Sequence, residues 1–320
     1  MGQSLNRLYR VLGISKQALH QRMDRQLRQD SYHHQLLFLV YEIRTDHPTM
    51  GVRDMYYLLR PEFMGRDGFE EFCRGYGFVS ARPVNYSRTT DSQGVIRFDN
   101  LTIGLKLSGI NQLWVSDITY FEVNRKFYYL TFILDAYSRL ILGYSVSKRL
   151  FTEQTTLSAL QMAVKRRKGV DLKGTILHSD GGGQYYDKEF LKETRALGLI
   201  NSMCEYPWEN GKAERINGVI KNNYLRHRSI GSFGELVKEV DRSVQLYNEI
   251  KPHKALNRVS PLTFENMYIE SGKTSDGEKS TTEYQNSNQR ESNSPLGCGK
   301  TSSGSNITLE YDQNKCLTVR

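Results

Sequence analysis

Three acidic residues occupy positions where a carboxylate needs a partner. Asp117 lies inside the apolar run "LWVSDITYF", Asp180 ends the run "TILHSD", and Glu214 belongs to "ENGKAERINGVIK". A carboxylate in a core costs several kcal/mol unless a basic group or a metal ion neutralises it. If the three side chains converge, their oxygens suit divalent cations such as Mg²⁺. Two such ions, about 4 Å apart, can stabilise the attacking and leaving oxygens of phosphoryl transfer.

The glycine-rich segment after Asp180 favours a binding site at that position. Asp180 ends a short apolar strand, and Gly181–Gly183 follow directly. Ligands collect at strand ends in sheets of this kind, and glycines let another backbone approach closely. The competing interpretation is an aspartate that only caps a turn.

A helix is predicted from about Glu209, because apolar residues repeat on one face at about 100° per residue. The apolar residues are Ile216, Val219 and Ile220. A different face carries Glu214, Gly218 and Lys221, with Asn217 at its edge. The alternative is an ordinary amphipathic helix whose polar face is only solvated.

A further aspartate, Asp135, competes for the role of the buried metal ligand. It lies in "ILDAYSR", at the end of another β-rich run. We interpret Asp135 as structural and expect it to pair with the nearby Arg139.

The charge of the chain favours a polyanionic partner. Its 320 residues hold 44 Lys and Arg against 35 Asp and Glu, a net charge of +9. This balance fits nucleic acid, although solubility alone is the alternative. No apolar run approaches the roughly 20 residues that span a bilayer. The four cysteines form no CxxC pair, which argues against disulfide staples and cysteine-rich zinc sites and favours a reducing cytoplasm.

The order of predicted elements indicates an α/β fold with a mixed sheet. Three β-rich runs come first: "QLWVSDITYFEV", "FYYLTFILDAYS" and "LILGYSVS". A helix from Thr152, the strand "GTILHSD", the helix "DKEFLKETRALG" and the strand "LINSMC" follow. Three meander strands and then alternating helix and strand predict a five-stranded sheet flanked by helices.

Upstream of the sheet the pattern is helical. A helix over residues 5–12 ends at Gly13, Ser15 can cap a second helix, and "YHHQLLFLVYEIRTDHP" suggests a third. "HPTMGVRDMYYLLR" then predicts a turn and a helix over 52–60. Helix, short turn, helix is the outline of a DNA-binding helix-turn-helix, although short helical hairpins are common.

The chain therefore divides into four predicted regions. Residues 1–80 form a small all-α, helix-turn-helix-like DNA-binding region, and residues 81–112 form a basic linker. Residues 113–268 form the sheet domain. Residues 269–320 are a polar tail with too few apolar side chains to fold, so we expect disorder there.

Several sequence blocks, taken in order, resemble an insertion-sequence transposase of the second-reading-frame, catalytic type. The blocks of its integrase-like core are "NQLWVSDITYF", "LDAYSRLILGYSVS", "LHSDGGGQYY" and "ENGKAERINGVIKNNYL". "HPTMGVRDMYYLLR" resembles the helix-turn-helix segment that precedes this core, and "YNEIKPHKALNRVSPLTF" resembles its end. The resemblance runs from about residue 5 to residue 268 and implies an RNase H-like fold for residues 113–268.

The resemblance implies that Asp117, Asp180 and Glu214 are the catalytic, metal-binding DDE triad of the retroviral-integrase superfamily. The cofactor would be Mg²⁺ or Mn²⁺, as two ions. The reaction would be cleavage of DNA at element ends, followed by attack of the freed 3′-hydroxyl on a target phosphodiester, without a covalent protein intermediate.

The resemblance also implies contacts with DNA and with other protein chains. Asn217 and Lys221 match positions expected to touch DNA near the scissile phosphate, and Lys212, Arg215 and Arg53 are further candidate DNA contacts. The partners would be the terminal repeats, the target DNA, further copies of the chain in a homo-multimer, and an upstream-frame helix-turn-helix protein or fusion. We expect no membrane association, and a bacterial cytoplasmic, nucleoid-associated location.

Two departures from the family pattern fall near the third acid. The spacing from Asp180 to Glu214 is slightly shorter than usual, and the shortening falls in the Cys204–Pro207 loop, which leaves the helix in phase. Glu209 replaces an aspartate usual in the family. Two alternatives remain open: an RNase H-like nuclease without strand transfer, and a catalytically inactive DNA-binding regulator.

Overall fold

The computed structural model describes residues 9–11, 13–79 and 98–272. The chain divides into two compact units, Met1–Ser80 and Ala81–Arg320. Most of the predicted helix over residues 5–12, the first part of the predicted linker and nearly all of the predicted polar tail lie outside the described residues. Within those residues, no helix combines the length and apolar character needed to cross a membrane.

The first unit is helical. Its helices are α1 (Lys16–Asp46), α2 (Val52–Leu59) and α3 (Arg66–Gly75). Ser15 caps α1 as predicted, because its hydroxyl accepts a hydrogen bond of 3.0 Å from the backbone N–H of Ala18. The predicted second and third helices, however, form one continuous helix, since neither glycine nor proline interrupts residues 16–46.

The second unit is built on a five-stranded mixed sheet in the order β3-β2-β1-β4-β5. The strands are β1 (Leu113–Val123), β2 (Lys126–Asp135), β3 (Ile141–Ser147), β4 (Ile176–Ser179) and β5 (Ile200–Met203). The first three strands pair antiparallel, whereas β4 pairs parallel with both β1 and β5. The predicted RNase H-like arrangement, with three meander strands and two crossover strands, is confirmed.

Helices cover both faces of this sheet. They are α4 (Thr156–Arg166), α5 (Lys188–Ala196), α6 (Gly211–Gly218), α7 (Phe233–Gln245) and α8 (Pro261–Glu270). Short 3₁₀ segments lie at 152–154, 183–185, 207–210, 225–227 and 254–256, and π-helical turns continue α6 over 219–224 and α7 over 246–250.

Alternation along β1 produces two separate cores, because successive side chains point to opposite faces. Leu113 and Val115 pack with residues of α6 and α7, whereas Trp114 packs with residues of α4 and α5. Asp117 therefore lies on the face of the sheet that α6 covers.

Two local features join these elements closely. Asn124 and Arg125 both have left-handed backbone angles, φ 50° and 62°, as a tight turn between antiparallel strands requires. On β3, a Cβ at Gly143 would collide with the backbone carbonyl of Ala159, so only glycine lets α4 approach the sheet this closely.

The described part of the predicted linker contacts β5. The hydroxyl of Ser202 donates to the carbonyl of Asp99 at 3.1 Å and accepts from the N–H of Leu101 at 2.9 Å. The rings of Phe98 and Tyr186 stack with their centroids 5.7 Å apart. Residues 98–112 contain no described strand or α-helix, yet their beginning is tied to the sheet edge.

Asp135 is structural, but the expected pairing with Arg139 was wrong. The Asp135 carboxylate accepts hydrogen bonds from the backbone N–H groups of Asn111, Tyr137 and Ser138. Its cationic neighbour is Arg167, 3.8 Å away. Arg139 contacts it through the backbone only, where the Arg139 N–H donates to the Asp135 carbonyl at 2.9 Å.

Arg167 joins the end of β2 to α8 through a buried ion network. Its guanidinium forms a bidentate pair with the carboxylate of Glu265, one arm at 2.9 Å, and its Nε donates to Asn111 at 2.7 Å. The side chains of Arg167 and Glu265 are only 7% and 4% exposed. Removing Glu265 or Arg167 would leave the charge of the other residue buried without its main partner.

We expect Glu265→Ala to lower the free energy of unfolding of the second unit by about 3–5 kcal/mol, because it leaves Arg167 buried with too little negative charge. Lys192→Ala removes one partner of an exposed pair with Glu189 and should cost less than about 1 kcal/mol. Urea denaturation followed by circular dichroism measures both. Similar small losses in the two variants would contradict a stabilising role for the network.

Candidate active site

The pairing of β1 with β4 brings Asp117 and Asp180 side by side. Leu113 lies opposite Ile176 and Val115 opposite His178. Two further residues along each strand direction lead to Asp117 in β1 and to Asp180, one residue beyond the end of β4, and the charge of Asp180 reaches Asp117. Neighbouring strands lie about 4.8 Å apart, so the two predicted site aspartates become neighbours through strand register alone.

Asp180 directly follows β4 and is held by the glycine segment. Its carboxylate accepts a hydrogen bond of 3.1 Å from the backbone N–H of Gly182. A Cβ on Gly182 would lie 3.0 Å from the same carboxylate oxygen, so a larger residue there would crowd the acid. Burial raises the pKa of Asp180, and the hydrogen bond from Gly182 opposes that rise.

Asp117 experiences the strongest electrostatic strain in the site. Burial, together with the negative charges of Asp180 and Glu214, raises the pKa of Asp117 to about 7, although hydrogen bonds from the backbone of Ile118 and the side chain of Asn217 act in the opposite direction. Neither Asp117 nor Asp180 takes part in any salt bridge formed by the described residues. Two adjacent, poorly solvated carboxylates are therefore left without a paired cation.

Glu214 lies in the first turn of α6 and is exposed. Its charge reaches Asp117, so the three predicted acids lie in one region. They are not gathered tightly, however: the described residues contain no group of three acidic, histidine or cysteine side chains close enough to hold a metal ion.

Asparagine side chains attach α6 and its leading turn to β1. Asn210 donates through Nδ2 to the carbonyl of Ser116 at 2.9 Å, and Asn217 donates through Nδ2 to the carboxylate of Asp117 at 2.8 Å. Asn217 is 4% exposed, and its Oδ1 has no hydrogen-bond partner. The residue predicted to touch DNA thus contacts a predicted catalytic acid directly.

Lys221 also faces β1. Its ammonium group donates to the hydroxyl of Thr119 at 2.6 Å and lies 5.5 Å from the ring centroid of Tyr120. Thr119 is two residues beyond Asp117, on the same face of the strand. Lys221 lies in the π-helical turn rather than in a regular α-helix, so a rotation of about 100° per residue does not describe its position. Its side chain nevertheless points towards β1, as that of Asn217 does.

A hydroxyl pair supports β1 from the opposite face. The hydroxyls of Ser116 and Tyr185 lie 2.8 Å apart in the buried interior. Burial, together with the charges of Asp180 and Asp117, raises the pKa of Tyr185 well above its usual value. Tyr185 therefore stays protonated and fixes the strand residue that precedes Asp117.

The other predicted DNA contacts lie elsewhere. Lys212 and Arg215 lie three residues apart on α6, on the flank away from Asn217, and Arg139 is close enough to repel both. None of these three cations forms a salt bridge among the described residues. Arg53 lies in the first unit, where its Nε donates to Glu70 at 2.8 Å.

Sequence reasoning missed Asn210, Tyr185 and Arg139 as contributors to this site. Asn210 lies in "ENG" and Tyr185 lies in "GGGQYY", but the sequence analysis considered only the acidic residues and glycines of these segments. The spacing of residues does not indicate that Asn210 or Tyr185 contacts Ser116. Arg139 was assigned to Asp135, and its left-handed backbone (φ 63°) is visible only in the structure.

The oxygen atoms available at this site are of the type that binds a divalent cation. Asp117 and Asp180 offer oxygen atoms, which Mg²⁺ prefers, and the unpartnered Oδ1 of Asn217 is a further buried oxygen beside Asp117. Positive charge there would relieve the repulsion that raises the pKa of Asp117. Asp117 and Asp180 are thus the best-placed ligands, with exposed Glu214 as the third candidate.

We expect Asp117→Asn to stabilise the metal-free protein above pH 7. Between about pH 4 and pH 7 the folded protein keeps Asp117 protonated while the unfolded chain ionises it, so wild-type stability falls as pH rises through this window. Asparagine cannot ionise, so at pH 8 in EDTA the variant should melt about 3–10 °C higher, with little difference at pH 4. Glu189→Gln, an exposed site, is the control. Equal melting of wild type and Asp117→Asn at pH 8 would rule out a strained carboxylate.

Family comparisons concern the same region. Residues 108–206 match the family described as integrase core domain, and residues 199–261 match a second family with that description. The solved structure of the HTLV-2 integrase catalytic core domain in complex with magnesium, trimeric form, aligns with a TM-score of 0.39 at 18% identity, over 48% of this chain and 96% of that one.

Bacterial insertion-sequence proteins are similar to about half of the chain. The chain is 31% identical over 161 residues to the insertion element IS600 uncharacterized 31 kDa protein of Shigella sonnei, covering 49% of this chain and 58% of that protein. It is 32% identical over 164 residues to transposase InsF for insertion sequence IS3A of Escherichia coli K12, covering 50% of this chain and 55% of that protein.

The match therefore spans little more than half the length of these relatives. The family matches over residues 108–261 include the sheet, both aspartates and α6, which are the parts that build the candidate site. Residues 108–261 thus resemble integrase core domains, and about half of the chain is similar to proteins encoded by bacterial insertion sequences.

Proposed function

We propose that this chain is a DDE transposase: it cleaves DNA at the ends of an insertion element and transfers the freed strands to target DNA. One observation carries the proposal. Within the integrase-like region, Asp117 and Asp180 are neighbouring, half-buried carboxylates that form no salt bridge among the described residues, so added positive charge would stabilise their ionised forms. Asp117, Asp180 and Glu214 are the proposed catalytic residues.

A divalent ion, Mg²⁺ or Mn²⁺, held by these carboxylates would supply the charge that stabilises the attacking and leaving oxygens; a pair of ions is the family expectation. The residues around it prepare the site. Asn217 donates through its amide N–H to one oxygen of the Asp117 carboxylate and so helps to fix its orientation. Lys221, bonded to Thr119, places a positive charge beside Asp117, where a phosphodiester would lie.

The second flank of α6 suits the DNA backbone. Arg139 repels both Lys212 and Arg215. None of the three has a salt-bridge partner among the described residues, and phosphate groups would neutralise them. Such contacts position DNA without reading its sequence. One flank of α6 and the turn that follows it would place Asn217 and Lys221 at the reacting phosphate. The other flank would place Lys212 and Arg215, together with Arg139, along the duplex.

The remaining assignments extend the same proposal. We propose that residues 1–80, with Arg53, form a helix-turn-helix-like DNA-binding region joined by a linker (81–112) to the catalytic core (113–268), followed by the polar tail (269–320). The active form would be a homo-multimer on element ends and target DNA in the bacterial cytoplasm, with an upstream-frame helix-turn-helix protein as a further partner or fusion.

Strand transfer on plasmid DNA carrying candidate element ends tests the function. We expect wild type to produce strand-joined products in Mn²⁺ but not in EDTA. Glu214→Gln should lower joining at least 100-fold, because it removes a negative ligand while keeping the side-chain shape. Glu189→Gln, an exposed glutamate on α5, is the matched control and should retain activity.

Each outcome of this assay has a distinct meaning. Metal-dependent cleavage without joining would replace the transposase proposal with an RNase H-like nuclease. Equal background from wild type and Glu214→Gln would leave two interpretations: a DNA-binding regulator, or a subunit that lacks its upstream-frame partner.

The cationic flank is tested by the salt dependence of DNA binding. Removing two phosphate contacts in a Lys212→Gln, Arg215→Gln double variant should make the negative slope of log Kobs against log salt shallower by about 1.8. Lys238→Gln, an exposed cation on α7, should leave the slope unchanged. An unchanged slope in the double variant would mean that this flank does not face DNA.

A further inference from the structure

Tyr206 and Trp208 form an exposed, parallel ring stack in the turn that leads into α6. Their ring centroids are 4.5 Å apart and their planes differ by 5°. Tyr206 is 45% exposed and Trp208 is 61% exposed. Neither ring belongs to the two apolar cores of the sheet, so packing in the interior does not explain the pair.

The turn that carries the stack is tied to the proposed catalytic strand. The carboxylate of Glu209 accepts hydrogen bonds from the backbone N–H groups of Glu205 and Tyr206, at 2.7 and 3.0 Å. Two residues after Trp208, Asn210 donates to the carbonyl of Ser116, the residue before Asp117. The two rings are therefore anchored a short distance along the chain from a contact with the site.

An aromatic stack with faces open to solvent suits one occupant in particular, an unpaired nucleobase. Bases stack on aromatic side chains irrespective of their identity, because every base has a π-face. A base inside a duplex is already covered by its neighbours, so only a terminal or unpaired base offers a free face. The basic net charge of the chain and the cations on α6 favour nucleic acid over an acidic or apolar protein partner.

We propose that Tyr206 and Trp208 form a stacking platform for an unpaired base at the DNA end that is being cut. The proposal rests on the proposed function, because it takes DNA as the substrate of the neighbouring carboxylates. It adds a recognition element for opened DNA ends, distinct from the phosphate contacts of Lys212 and Arg215. An end that is opened, or opens readily, would bind more tightly than a fully paired one.

Tryptophan fluorescence gives a direct test. The chain has two tryptophans; Trp114 is fully buried, so a ligand can reach only Trp208. The probes are two duplexes of equal length and charge, one fully paired and one mismatched at one end, both titrated in EDTA so that no reaction is required. The emission of Trp208→Phe, in which only Trp114 emits, provides the blank.

We expect the mismatched end to quench Trp208 and the fully paired duplex to quench it much less. Trp208→Ala should weaken binding of the mismatched end by about 5- to 150-fold and change binding of the paired duplex less than about twofold. Trp208→Phe should retain most of the affinity because it keeps an aromatic face. Phe127→Ala, which removes an exposed ring that meets Tyr120 edge-on, is the control and should bind both probes like wild type.

Two outcomes would overturn the platform. One is equal affinity of wild type and Trp208→Ala for the mismatched end. The other is an equal loss of affinity for both probes, which would indicate a backbone contact or a damaged turn. Because binding is measured without metal, a failure of strand transfer would not affect the fluorescence result. If strand transfer occurs but the mismatched end does not quench Trp208, the stacking platform is rejected and the proposed transposase function is not.

Discussion

The structure depends on one constraint: the parallel register of β4 against β1 forces two carboxylates together. Asp117 and Asp180 are adjacent because Val115 lies opposite His178, and no rearrangement of side chains can separate their backbones. Partial burial then limits the access of water to both acids. Much of the surrounding chemistry, from the hydrogen bond of Gly182 to the amide of Asn217, moderates the cost of this placement.

Helix α6 links the sheet to the functions assigned to the site. Its apolar residues, including Ile216, fill the core below β1, so its remaining two flanks are fixed in orientation. One flank brings Asn217 to Asp117, and the other carries cations beside Arg139. The π-helical turn that follows keeps Lys221 over Thr119. A helix that served only as a solvated amphipathic cover would not need an amide bonded to a buried acid.

The sequence predicted this architecture well because its signals were strong and local. All five strands were visible as β-rich runs, and the cap of α1 followed from Ser15. Side-chain partners were harder to predict because they depend on tertiary distance. Asp135 was paired with Arg139, four residues away, whereas its cationic neighbour is Arg167, thirty-two residues further along the chain. The single helix α1 was split in prediction because a weak change in apolar pattern was taken for a boundary that no glycine or proline enforces.

The contacts of the ion network at the end of β2 form at different stages of synthesis, because their residues lie far apart in the chain. Asp135 leaves the ribosome long before Arg167, and Glu265 follows later still, so the last partner of this network is supplied by α8. Domains fold as their segments emerge during synthesis, and contacts far apart in sequence form slowly. The strands of the sheet can therefore assemble early, whereas Arg167 gains its contact with Glu265 only after almost the whole described chain has been synthesised. A nascent chain halted before α8 would leave Arg167 with Asp135 as its acidic neighbour but without the bidentate contact to Glu265, so this domain completes its ion network late.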